Sequence, residues 1–87
     1  MSKTNTATLK TLRAELATVE AEVDKKAACA REHLGFLTDA KKRGNAADVA
    51  AMLTSYRIMV AWRNEAMDRR DAVLAQIEAR RAPRLAA

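Results

Sequence analysis

An 87-residue chain has room for one small domain, and a core of that size is marginal unless the fold is idealised, stapled or oligomeric. Lys and Arg number 16 against 11 Asp and Glu, a formal charge of +5, which admits an anionic partner without identifying one. The single Cys29 rules out an intrachain disulfide, one His and one Cys leave a structural zinc site without ligands, and no apolar run approaches the roughly 18 residues that span a bilayer.

Two Gly, one Pro and an excess of Ala, Leu, Glu, Lys and Arg predict an all-α chain. The opening "MSKTNTATLK" lacks the hydrophobic segment of a signal peptide, so the expected location is cytoplasmic. A first helix over about 6–43 starts after "KTNT", where Thr4, Asn5 or Thr6 is placed to cap it. Leu9, Leu12, Leu16, Val19 and Val23 then recur at alternating steps of three and four, the pattern of a coiled-coil seam. Beyond Val23 a strict heptad brings Lys26 and His33 inside. A four-residue step to Ala27, Ala30, Leu34, Leu37 and Lys41 keeps the stripe apolar, and this stutter is the expected course. Gly35 within "HLGFL" is a weak point for helix.

Gly44 suits the left-handed residue that ends a helix, "KKR" before it sets cations on the negative end of the dipole, and "NAAD" (45–48) looks like a cap for the next helix. A turn at about 44–45 therefore joins the first helix to a second over about 46–81, and "RAPRLAA" past it reads as a flexible tail over 82–87 because Pro83 disfavours helix at the preceding residue. Together these elements form one domain over 1–87. The fold expected is a long antiparallel helical hairpin, coiled-coil-like, each helix about 54 Å long at the usual rise.

The second helix has an apolar arc of about 160° on the ideal wheel. Val60, Met67 and Leu74 lie along one edge, Met59, Ala66 and Val73 along the other, and Arg63 and Arg70 lie between them. One neighbouring helix cannot cover so wide an arc, and Phe36, Ile58 and Trp62 lie off the seam as well. Self-association follows, with a dimeric four-helix bundle the simplest closed solution and higher oligomers the alternative. Phe36, Ile58, Met59 and Trp62 are the candidate interface.

Facing residues of an antiparallel hairpin turning at 44–45 have numbers summing to about 89, which sets Lys26 level with Arg63 and His33 level with Tyr56. Either Arg63 and Arg70 reach sideways to Glu22 and Glu15, their stems packed on the seam, or Lys26, His33, Tyr56, Arg63 and Arg70 form an anion- or partner-binding layer short of carboxylates. Cys29 and His33 stand one turn apart, but nothing orients them and no oxyanion site accompanies them. Met52, Met59 and Met67 read as adaptable filler along the stripe.

Basic clusters at 25–26, 41–43, 69–70 and 80–84 are spread along the rod, and stacking aromatics are scarce, so a compact nucleic-acid footprint is disfavoured. No catalytic or cofactor motif is present, and neither enzymatic activity nor a cofactor is expected. The function expected is that of a non-enzymatic helical interaction protein, an adaptor, assembly factor or small inhibitor of bacterial or phage type, binding itself and a larger protein partner. The alternative is an oligomer that binds nucleic acid, a nucleotide or another phosphorylated ligand through its basic residues. No membrane role is expected.

Overall fold

The computed structural model describes residues 8–86, with side chains described through residue 81. It is an all-helical hairpin of two long antiparallel helices, α1 (Leu9–Arg43) and α2 (Ala46–Ala86), that pack along their length. The molecule is a rod of 62 × 27 × 16 Å. No helix among the described residues is long and apolar enough to cross a membrane.

Each end of α1 is finished by a specific backbone arrangement. Thr8 is the N-cap: its side-chain oxygen accepts from the Thr11 amide at 3.1 Å, satisfying a donor that has no partner inside the helix. The expected caps Thr4, Asn5 and Thr6 lie outside the described residues. At the other end Gly44 takes φ 73° and donates its N–H to the carbonyls of Ala40 and Lys41, both at 3.1 Å, a left-handed closure that costs a residue with a Cβ about 1–2 kcal/mol. Asn45 then caps α2 through its Oδ1, which accepts from the Asp48 amide at 3.1 Å.

α2 runs to Ala86 rather than stopping near 81, so the segment expected as a tail is helical through Ala86, with Ala87 outside the described residues. The missing N–H of Pro83 removes one bond in the closing turns, and the surrounding Ala, Arg and Leu are strong helix formers. α1 is also unbroken at Gly35, where an added Cβ would meet nothing within 4 Å.

The seam corrects the expected stutter. The buried positions of α1, Leu12, Val19, Ala30, Leu37 and Ala40, all fall on the strict heptad, which half-buried Leu9, Leu16, Val23, Lys26 and His33 complete from end to end; Glu22, Ala27 and Cys29, also half-buried, flank it. Leu34 and Lys41, which the stutter would bury, are exposed. α2 answers with Val49, Met52, Tyr56, Met59, Arg63, Ala66, Arg70, Val73, Ile77 and Arg80. Two unbroken heptads joined by a tight turn keep one phase over the rod, and Lys and Arg tolerate seam positions because their methylene stems cover apolar surface while the heads reach sideways. A cluster of buried aliphatic side chains lies at the open end of the hairpin, where Leu12, 1% exposed, meets Val73 and Ile77 with Leu9 and Leu16 against them.

Candidate functional site

Halfway along the rod the seam changes character. Its buried positions there are the small Ala30 and Ala66, and its half-buried ones are the polar Lys26, His33, Tyr56 and Arg63 together with Val23 and Met59. Alanines fill little of the space between the helices, and the long polar residues beside them leave the seam laterally. A cavity of about 150 Å³ opens here, lined by Ala30, Arg31 and Leu34 from α1 and by Tyr56 and Arg63 from α2.

Arg63 carries the layer's buried nitrogen without a partner among the described residues. Its Nη2 donates to Asn64 Oδ1 at 3.3 Å, while Nε is closed off from solvent and has no hydrogen-bond partner among the described residues. Arg63 is in no salt bridge among the described residues. The expected pairing with Glu22 is overturned because Glu22 belongs to the opposite flank, where it accepts from Arg69 Nη2 at 2.6 Å. That hydrogen bond, and after it the Arg69 charge, holds the Glu22 carboxyl below its ordinary value. Arg70 likewise turns away from Glu15 and contacts its own neighbour: its Nε and Nη2 donate to Asp71 Oδ1 at 3.2 and 3.1 Å.

The five residues expected to form one layer are thus divided. Tyr56 and Arg63 line the cavity; Lys26, His33 and Arg70 do not. His33 is engaged within its own helix, its Nδ1 donating to the Cys29 carbonyl at 2.9 Å and its ring edge-on to Phe36 at 5.5 Å, so the imidazole meets the backbone of Cys29 rather than its thiol. Arg31 is the lining residue that sequence reasoning missed. It is exposed on the ideal wheel, and its only signal is a position one turn before Leu34, on the side toward which Arg63 leaves the seam.

Helical spacing sorts the uncovered apolar residues onto two flanks. Phe36 falls at seven-residue steps from Glu22 and Cys29, and Trp62 seven before Arg69, so the Glu22–Arg69 bridge identifies their shared flank; Ile58 stands one turn from Trp62. These three are exposed, Trp62 at 49%. Met59, expected beside them, is instead a half-buried seam residue because the strict heptad of α2 passes through it. The other flank, on which the cavity opens, carries Leu53, Val60, Met67 and Leu74 in a row at seven-residue steps, with Leu34 across from them. Leu34 and Leu74 are 44% and 41% exposed.

The basic clusters do not converge. Lys41, Lys42 and Arg43 end α1 at the turn, where Arg43 lies 3.8 Å from Asp48, whereas Arg80 and Arg81 stand at the far end of the 62 Å rod. No group of His, Cys, Asp and Glu among the described residues is arranged to hold a metal ion. No family model, curated protein or solved structure matches this chain.

Proposed function

We propose that this hairpin is a non-enzymatic helical interaction protein that pairs with a second copy through one flank and docks on a larger protein through the other. The observation that carries the reading is the row Leu53, Val60, Met67 and Leu74, which runs beside the seam with Leu34 opposite and has no helix over it among the described residues. Apolar residues repeated every seven positions along about 32 Å of helix match the requirement of a neighbouring helix laid alongside. A second hairpin related by a two-fold axis supplies the same row in return and closes a four-helix bundle.

Pairing on that flank leaves Phe36, Ile58 and Trp62 for the larger partner. Trp supplies anchoring area at low entropic cost and is prominent among residues that dominate interface energetics. An adaptor, assembly factor or inhibitor needs no more chemistry than this.

Sedimentation velocity at micromolar concentration tests the pairing. A dimer is expected, and Met67→Glu with Leu74→Glu should return it to a folded monomer, because neither change enters the seam. A wild-type monomer that still unfolds cooperatively would overturn self-association and assign the row to a foreign protein. Trp62→Ala should keep the dimer and lose the larger partner in a pull-down from the native host.

A further inference from the structure

We propose that the cavity between Arg31, Tyr56 and Arg63 is an oxyanion site, taking a phosphate or carboxylate group between the two guanidiniums with the Tyr56 hydroxyl as a third donor. Three observations converge on it. The cavity, about 150 Å³, is large enough for a group of that size and is lined on its charged side by cations only. Arg63 brings a guanidinium that is in no salt bridge among the described residues and whose recorded hydrogen bond is a 3.3 Å one from Nη2 to Asn64 Oδ1; its Nε is closed off from solvent, so the Nη hydrogens are the donors open to an anion. Of the two carboxylates that sequence places near this layer, Glu22 is committed to Arg69 on the opposite flank, and Glu15 is not the partner of Arg70, which bonds Asp71.

Guanidinium suits this task better than ammonium. Its planar fork offers parallel N–H donors to two oxygens of one carboxylate or phosphate, and two such forks from facing helices fix the anion's orientation. Ala30 and Leu34 complete the lining with apolar surface, which lowers the local dielectric and strengthens the charge-assisted bonds.

The site deepens the pairing reading and rests on it in one respect: the cavity opens on the flank assigned to the second copy. Covering that flank takes the charges of Arg31 and Arg63 out of water, and an enclosed oxyanion offsets the desolvation that two unpaired guanidiniums would impose. The hairpin alone already presents the donors, so anion binding and pairing are separately measurable.

Isothermal titration with inorganic phosphate and, separately, with acetate, against chloride at matched ionic strength, tests the site. Phosphate is expected to bind and to raise the melting temperature, as any ligand of the folded state alone does. Acetate binding as well would show that a carboxylate side chain fits the same donors; phosphate alone would identify phosphorylated ligands as the source. Arg63→Met should weaken binding on the order of tenfold or more, and Tyr56→Phe by about fivefold, the worth of a charge-assisted and of an ordinary hydrogen bond. Arg31→Ala, an exposed change that leaves the seam intact, should also weaken it. Titrations that show no heat for either anion overturn the site, as does binding that survives both Arg63→Met and Arg31→Ala, which would locate the anion on the terminal basic clusters. Sedimentation of the same samples keeps the two readings apart: a monomer in every buffer overturns pairing and leaves the titration to decide the site.

Discussion

At the open end of the hairpin Leu9, Leu12 and Leu16 close on Val73 and Ile77, while at mid-length the same heptad positions hold Lys26, His33, Tyr56 and Arg63 around Ala30 and Ala66. Both regions obey one geometry, two helices in constant phase. They differ in what that geometry is used for. Branched aliphatic side chains fill the space between the helices and leave water outside, so the open end contributes stability. Alanines with long cations fill the middle incompletely and give it a cavity with donors. A seam can therefore be regular in spacing and uneven in energy.

The largest effect that would break this comparison belongs to the aliphatic end. Leu12→Ala should cost about 2–5 kcal/mol in thermal or denaturant unfolding, because the side chain is fully enclosed and its loss leaves a void; a loss below about 1 kcal/mol would show that the two regions do not differ in the way described. Arg63→Met should act in the opposite direction in anion-free buffer. It deletes a buried donor without a partner and retains the apolar stem, so a gain of about 1 kcal/mol is expected from denaturant midpoints.

Gly35→Ala sharpens the comparison on the turn side of the middle. The added methyl meets nothing, so the variant should gain about 0.5–1 kcal/mol from helix propensity alone, read as a higher melting temperature with unchanged circular dichroism. Failure to gain would mean that α1 is not continuous there. The smallest effect concerns Glu22. Its carboxyl lies below the ordinary value of 4.5 in the folded chain because Arg69 bonds it and then because Arg69 is charged. The contribution is therefore present above the unfolded value and lost as pH falls through the folded one. Glu22→Gln should be slightly less stable than wild type at neutral pH and indistinguishable from it in acid, a convergence visible in melting curves taken across pH 2–7.

The course of the chain was legible where a residue has a single conformational use. Gly44 with Asn45 announced the turn, and both do in the structure what their types imply: a left-handed closure and a side-chain cap. The heptad of the first five aliphatics was equally plain. Its continuation was not, since a preference for apolar residues in the seam favoured Ala27 and Leu34 over Lys26 and His33. That preference treats a lysine as a charge and ignores its stem, and the stem is what lies in the seam. The same bias misassigned Glu22: lateral partners in an antiparallel pair come from the flanking positions, and Arg69 stands on the flank with Glu22 while Arg63 stands on the seam. The cavity itself was beyond sequence reading, because it arises from the volume that Ala30 leaves unfilled and from an exposed Arg31 that leans across it. Whether α2 would stop at Pro83 was decided by the weak stake of the last turns, a balance that spacing does not record.

The position of the aliphatic cluster relative to the turn also has a kinetic meaning. Contacts beside Gly44 form early and cheaply, since little chain lies between them, whereas joining Leu12 to Ile77 closes a loop of about 65 residues, an entropy of roughly 3–4 kcal/mol on the logarithmic law. A hairpin whose best contacts lay at its turn would zip outward and fray at its open end. Here the strongest contacts are the most distant in sequence, so partial zipping yields little until the far end engages, and folding becomes all-or-none. Once engaged, the rod is fastened at both extremities, and its polar middle can breathe without either end letting go. In amide exchange the slowest protons should lie near Leu12 and Ile77, with a faster stretch around Ala30 and Arg63 enclosed between two slower ones.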